Sequence, residues 1–330
     1  MQDMKGYVFL IFLLLSSFGA DAGCTFQTKN GGLATINLDM TSGTAINQIN
    51  LSSSGNIVCT ANSDSLYYTT PLKDYIVAIQ GGSGKKVLIN INLTSNDFPV
   101  SVGKKTVSAG EVLDTKSFTI SARYVNSGTI KQTVSGDAFS LSDPAVSITS
   151  DNSCTSNWLA YLYCWVTGRL SSNSAFTQNL SFTVTHQPTT CQFSLPRYEI
   201  KMPDTTLNEM LTVNNTKSGS TNLVLNCESI YNVTTNPVTF KVVRGDWDES
   251  GKILKNTIAN GAKGVGFQIY NGTATSPLKQ GDNLMNRMTK LEAISNQYTF
   301  PITAKYVRVT GESLLPGEIQ SKVIFAVSYD

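Results

Sequence analysis

An octapeptide that occurs twice constrains this chain more than anything else in it. Phe118 to Val125 reads F-T-I-S-A-R-Y-V and Phe300 to Val307 reads F-P-I-T-A-K-Y-V; five of eight positions are identical, and the S/T and R/K pairs are conservative. Phenylalanine, isoleucine, alanine and tyrosine fall on every second position, the period of an extended strand with one face buried. Alternation recurs upstream of each block, as Val87, Ile89, Ile91 and Leu93 before the first and Val265, Phe267 and Ile269 before the second. Cysteines follow the same plan: Cys24 and Cys59 are 35 residues apart, Cys191 and Cys227 are 36 apart, and each pair opens a β-rich stretch. The chain reads as two divergent copies of one disulfide-stapled β-sandwich, and 330 residues suffice for two domains but not comfortably for three.

The connecting sequence agrees with this all-β reading. Tyr75 to Ile79 and Val87 to Leu93 are strand-like runs joined by Q-G-G-S-G-K, a glycine-rich hairpin connection. That run lacks the spacing of a phosphate loop and the Ser or Thr after its lysine. Helical periodicity is scarce, with Asp282 to Leu291 the one stretch that fits a short helix or a loop turn.

Compartment follows from the N-terminus and the cysteines. Residues 1–22 read as a signal peptide: Lys5, an apolar run from Tyr7 to Leu15, then Ala20, Asp21 and Ala22 as an A-x-A cleavage site, so that the mature chain begins at Gly23. A lipid-modified Cys24 is disfavoured, because Asp21 stands where a lipobox needs an apolar residue. The apolar run is too short to span a bilayer, and no later stretch approaches the roughly 20 apolar residues of a membrane helix, so no membrane insertion is expected. Six cysteines in a secreted chain imply disulfides. Fifteen connectivities are open, and adjacency favours Cys24 with Cys59, Cys154 with Cys164, and Cys191 with Cys227. Each of the two long loops is worth about 4 kcal/mol in the chain-entropy model.

Several function classes are disfavoured. Charged residues make up 15% of the chain, the formal net charge is +2, and no basic run is present, which argues against a nucleic-acid partner. No C-x-x-C pair occurs and His186 is the one histidine, so neither a metal nor a cofactor is expected. Without a G-x-S-x-G elbow or paired-carboxylate motif there is no reaction to assign, and the chain is not expected to be an enzyme. His186 falls in H-Q-P-T-T, a stiff linker centred on 188–190, and is expected to be solvated there.

The last fourteen residues, Gly317 to Asp330, read G-E-I-Q-S-K-V-I-F-A-V-S-Y-D. As one extended strand they place Ile319, Val323, Phe325, Val327 and Tyr329 on one oily face. A strand so near the end of the sequence has no later partner within it. The glycine fourteenth from the end, the alternation and the penultimate tyrosine resemble the C-terminal signature of chaperone-usher pilus subunits. From Cys191 onward the resemblance continues through C-Q-F, Asn226 and Cys227, G-V-G-F-Q-I-Y, P-L-K-Q-G and F-P-I-T-A-K-Y.

The resemblance implies two immunoglobulin-like β-sandwich domains, the C-terminal one (191–330) an incomplete pilin domain completed by a donor strand. It also implies partners: a periplasmic chaperone that binds Gly317, Ile319, Val323, Phe325, Val327 and Tyr329, an outer-membrane usher, and an adjacent pilus subunit. Pilins of this family carry a donor extension before their first cysteine, whereas Gly23 here is followed at once by Cys24. A subunit that accepts a strand and donates none is expected at the fimbrial tip, on the bacterial surface, after secretion through the periplasm.

The first copy, 23–187, is longer. From Tyr124 to Val184, in S-F-T-V-T-H, is 60 residues, and from Tyr306 to Val327, in I-F-A-V-S-Y, is 21. The excess of about 39 residues, mostly between Gly136 and Gln178, has room for two or three strands, one of which is expected to supply internally the strand the second copy lacks. It also holds S-N-W-L-A-Y-L-Y-C-W, richer in aromatics than one core needs. Aromatic rings with nearby amides and carboxylates suit sugars, whose C–H faces stack and whose hydroxyls both donate and accept hydrogen bonds. Candidate ligand residues are Asn152, Asn157, Trp158 and Tyr161, and a second cluster of Asn62, Asp64, Tyr67 and Tyr68. The competing use of these aromatics is core packing. The function that follows is a two-domain tip adhesin whose first domain binds a host glycan or matrix receptor; the alternative is a non-adhesive minor subunit, an initiator or adaptor.

Overall fold

The structure is a computed structural model and describes residues 24–26, 30–50, 57–59, 65–94, 102–106, 112–113, 117–151, 175–212 and 217–329. The signal-peptide reading, Cys154, Cys164, Asn62, Asp64, Asn152, Asn157, Trp158 and Tyr161 lie outside those residues. The described chain is almost entirely β and divides into two compact units, one within Met1–Ile79 and Leu88–Thr185, the other from Gln80–Val87 and His186–Asp330.

In the first unit, β1 (Cys24–Phe26) pairs with β4 (Ile57–Cys59), with Cys24 opposite Cys59. β4 also pairs with β9 (Val112–Leu113). A five-stranded sheet runs β11 (Ile130–Ser135), β6 (Tyr75–Gln80), β7 (Lys86–Thr94), β10 (Ser117–Val125), β3 (Thr44–Asn50). The Q-G-G-S-G-K run is the turn between β6 and β7, closed by the Gly81 amide donating to the Lys85 carbonyl at 3.0 Å. A second sheet contains β8 (Val102–Thr106), β5 (Ser65–Thr69), β13 (Val146–Asp151), β14 (Ala175–His186), β12 (Ala138–Ser140) and β2 (Asn30–Met40).

The second unit repeats the plan with fewer strands. One sheet runs β15 (Thr190–Phe193), β16 (Ser218–Glu228), β20 (Gln297–Arg308), β19 (Val265–Asn271), β18 (Leu254–Lys255). Facing it are β17 (Val238–Gly245) and β21 (Val323–Tyr329), paired with each other. The core lies between the sheets: Leu223, Leu225, Ile269, Phe300, Ile302 and Ala304 pack against Val238, Phe240 and Val242. Phe240 sits 6.1 Å from Phe300 and 5.9 Å from Tyr298, ring centre to ring centre. A disulfide joins Cys191 and Cys227, which are opposite each other in the β15–β16 register.

The twin octapeptides occupy equivalent places. Ala122 of β10 faces Ile91 of β7 and Ala304 of β20 faces Ile269 of β19, in the same antiparallel arrangement. Phe118, Ile120 and Ala122 are buried, as are Phe300, Ile302 and Ala304. The same face is covered in both copies.

Two expectations need correction. His186 is not a solvated linker residue: it ends β14 and is 8% exposed. The linker itself is fixed, because the Thr189 amide donates to Thr235 Oγ1 and Asn236 Oδ1 at 3.0 and 2.9 Å, and Thr190 already belongs to β15. Gly317 to Asp330 is not one strand either. Pairing begins at Val323, and the Glu318, Gln320 and Lys322 carbonyls accept from Ala262, Thr257 and Asp246 amides respectively, at 2.8, 2.8 and 3.0 Å. Residues 282–291 form an irregular segment whose Leu284 and Met288 amides donate to the Phe240 and Val238 carbonyls.

One short helix, α1 (Leu207–Leu211), escapes a periodicity search because it is little more than a turn. Its signal is the capping box T-x-x-E: the Glu209 amide donates to Thr206 Oγ1, and the Thr206 amide to the Glu209 carboxylate. Lys217 Nζ lies 2.9 Å from the same carboxylate, and that hydrogen bond, followed by the Thr206 amide, lowers the Glu209 pKa from 4.5 to about 2. A carboxyl depressed by folding contributes stability above its unfolded value, and the contribution disappears as pH falls from about 4.5 through 2. In Lys217→Ala the Glu209 carboxyl is expected to titrate nearer 4.5, as followed by its side-chain carbon shift in NMR. An unchanged titration would show that the lysine does not hold it.

Candidate functional site

Among the differences between the two units, the one at the last strand bears on function. In the first unit β13 pairs with β5 on one edge and β14 on the other. β12 and β13 follow each other along one edge of β14, from Ala138 opposite Thr183 to Thr149 opposite Ala175. β2 covers the remaining edge. Gln178 Nε2 donates to the Gly32 carbonyl, Thr35 Oγ1 meets Ser181 Oγ, and Thr183 Oγ1 donates to Asn37 Oδ1, all with the same separation of 146, so β2 and β14 run parallel.

In the second unit β17 corresponds to β5 and β21 to β13, but nothing corresponds to β14. Among the described residues β21 has β17 on one edge and no strand on the other. This revises the match between S-F-T-V-T-H and I-F-A-V-S-Y. The counterpart of β21 is β13, with Ile148 24 residues beyond Tyr124, and β14 is the additional strand. The expectation that the longer first copy completes its own sheet holds, with β14 in that place.

Beside the free edge of β21 lies an open groove. Its second wall is the chain beyond β15, which leaves the sheet after Phe193 and runs from Arg197 to Pro203 outside any strand. Tyr198, Ile200 and Met202 turn inward onto the core, while Arg197, Glu199 and Lys201 are exposed. Alternation of R-Y-E-I-K-M was the signal for this wall, and sequence reasoning missed it. Gly219 of β16 lets the wall approach: a Cβ there would meet the Lys201 carbonyl oxygen at 2.6 Å.

The groove has two consecutive parts sharing Arg197, Ile200, Met202 and Phe267. The inner cavity, about 310 Å³, has Leu223, Ile269 and Ile302 for its floor, with Val323 and Phe325 at one side. The outer cavity, about 750 Å³, is bounded by α1 and by Leu314 to Ser321. Leu195, Leu207, Leu315 and Ile324, each more than 40% exposed, line the two parts. Large exposed apolar residues gathered along one groove mark a surface that takes a partner.

Of the expected assembly residues, Gly317, Ile319, Val323 and Phe325 line the groove, while Val327 and Tyr329 lie farther along β21 and line neither part. Val323, Phe325 and Val327 pack on the core yet stay only partly buried, and among the described residues no strand pairs with that edge of β21. Ile319 packs between the main core and a small cluster of Met210, Ala262 and Val265. Gly317 lines the outer cavity, and any side chain there would meet the backbone of Gly261 and Ala262 at 2.6–2.8 Å. The Tyr329 hydroxyl accepts the Cys191 amide and donates to the Cys191 carbonyl, tying the end of β21 to β15. Of the expected ligand residues, Tyr67 and Tyr68 are described, on β5 opposite Thr149 and Ile148 of β13.

Residues 178–330 match the family model described as Fimbrial protein. No curated protein matches the chain. Among solved structures, the CupB6 tip adhesin of Pseudomonas aeruginosa is similar, with 15% identity over 93% of this chain and 95% of that one and a TM-score of 0.43. A chain of the CsuC–CsuE chaperone–tip adhesion subunit complex of Acinetobacter baumannii has 15% identity over 92% and 99%, with a TM-score of 0.36. CfaE, the adhesive subunit of CFA/I fimbriae of enterotoxigenic Escherichia coli, has 10% identity over 92% and 99%, with a TM-score of 0.33.

Proposed function

We propose that this chain is a tip adhesin of a chaperone-usher pilus, with an N-terminal receptor-binding domain (23–187) and a C-terminal pilin domain (191–330) that accepts a β-strand. The observation that carries the reading is the open groove along the free edge of β21. A strand added there gains main-chain hydrogen bonds from the edge and buries alternate side chains on the exposed core. Left empty, such an edge invites aggregation, which gives a periplasmic chaperone its role.

The first unit supplies a template for the occupant. By analogy with β14, the incoming strand lies antiparallel to β21 and parallel to the wall from Arg197 to Pro203. A chaperone strand would fill the groove first and the adjacent pilus subunit would fill it later, with the outer-membrane usher between the two events. The solved CsuC–CsuE complex pairs a chaperone with a tip subunit, which supports this order of partners. The first unit, its last strand paired on both edges, needs no such partner and is free to bind a receptor. Attachment would occur outside the cell, at the end of the fimbria.

The mature chain, probed on glycan and matrix-protein arrays beside Trp158→Ala and Tyr67→Ala variants, tests the adhesive half of the proposal. Selective binding lost in one variant is the expected result. A folded chain that binds nothing would instead support a non-adhesive adaptor or initiator.

A further inference from the structure

The groove is polarised in charge along its length. At the inner cavity the charged lining residues are Arg197 and Lys322, both basic. At the outer cavity they are Glu199, Asp204 and Glu318, with Arg197 shared between the two. All five side chains are exposed. Lys263, exposed and exchanging backbone hydrogen bonds with Leu315, is a cation beside the outer cavity but lines neither part. Lys217 Nζ is engaged by the Glu209 carboxylate and the Asp204 carbonyl, and Lys201 lines neither cavity.

Three carboxylates against one guanidinium, at the rim of an apolar slot, create a local negative potential over about one Debye length, or roughly 8–10 Å. A strand entering antiparallel to β21 passes the inner cavity first and brings its C-terminal part over the outer one. We propose that the outer cavity selects a strand with a lysine or arginine near its C-terminal end, over Glu199, Asp204 and Glu318, and disfavours one with a carboxylate there. This rests on the strand-accepting reading above and goes beyond it by fixing the chemistry of the partner at one end. Complementary rim charges raise association rate and specificity more than they raise affinity, and they weaken with salt.

The test uses the mature chain and two amidated synthetic peptides of alternating valine and threonine, one with lysine and one with glutamate near the C-terminal end. Association is followed by stopped-flow fluorescence at low and high salt. The lysine peptide is expected to associate about tenfold faster at low salt, with the gap closing at high salt and in the Glu199→Gln, Asp204→Asn, Glu318→Gln triple variant. Equal rates for both peptides, or a gap that survives in the folded triple variant, would overturn the charge assignment while leaving the groove as an acceptor. Failure of both peptides to bind would overturn the acceptor reading itself, and this inference with it.

Discussion

Phe325→Asp is expected to abolish capture of a strand by the second unit while leaving that unit folded. Phe325 packs on the main core from β21 and lines the inner cavity, but it is only partly buried. Before a strand arrives, the aspartate can keep its charge in the water that fills the groove. Covering it forces a carboxylate against Leu223, Ile269 and Ile302, which line the same cavity. Desolvating a poorly paired carboxylate costs several kcal/mol, and the apolar contacts of the ring are lost as well. Together these weaken binding by about a hundredfold or more. In the periplasm the variant should fail to accumulate with a chaperone, whereas Phe325→Leu, which keeps the apolar volume, should accumulate nearly as well as the parent. Wild-type recovery of the Asp variant would remove Phe325 from the assembly surface.

The residues that expressed the fold plainly are those whose period and partners are local. β10, β20, β7 and β19 were legible because each buries one face against a neighbouring strand, leaving a clean two-residue alternation. The Cys191–Cys227 disulfide is the pairing that adjacency favoured among the fifteen left open. What stayed hidden depends on where backbone hydrogen bonds go, and side-chain pattern says little about that. Gly317 to Lys322 alternates like a strand, yet its carbonyls are taken by Asp246, Thr257 and Ala262 instead of by a paired strand. His186 looked like a linker residue because of the proline two positions later, but it ends β14 and is buried.

The groove was half legible. Val323, Phe325 and Val327 announced a strand with one apolar face, but the opposite wall, Tyr198, Ile200 and Met202, sits after a proline in a stretch that joins no sheet. Its alternation reflects packing on a core without strand pairing, a case that propensity arguments treat as loop. The match of β21 to S-F-T-V-T-H misled for a related reason. β13 and β14 are both terminal-looking β sequences, and only pairing with β5 distinguishes the equivalent strand from the additional one.

That additional strand sets up the sharpest contrast between the two units. Phe176, Leu180, Phe182 and Val184 of β14 are all buried, and Phe182 packs on Phe139 at 5.3 Å between ring centres. In Phe182→Ala the lost transfer energy and the residual cavity are expected to destabilise the first unit by about 3–5 kcal/mol. No external strand can restore it, because both edges of β14 are already paired within the chain. The second unit should behave the opposite way. A donor-strand peptide at a hundred times its Kd is expected to stabilise it by about 2.7 kcal/mol with no mutation at all. Calorimetry of the mature chain checks both statements: Phe182→Ala lowers one unfolding transition and the peptide raises the other, each leaving its neighbour in place. If the peptide instead raised the transition that Phe182→Ala lowers, the first unit would be the strand acceptor, and the assignment of β14 as an internal completing strand would be wrong.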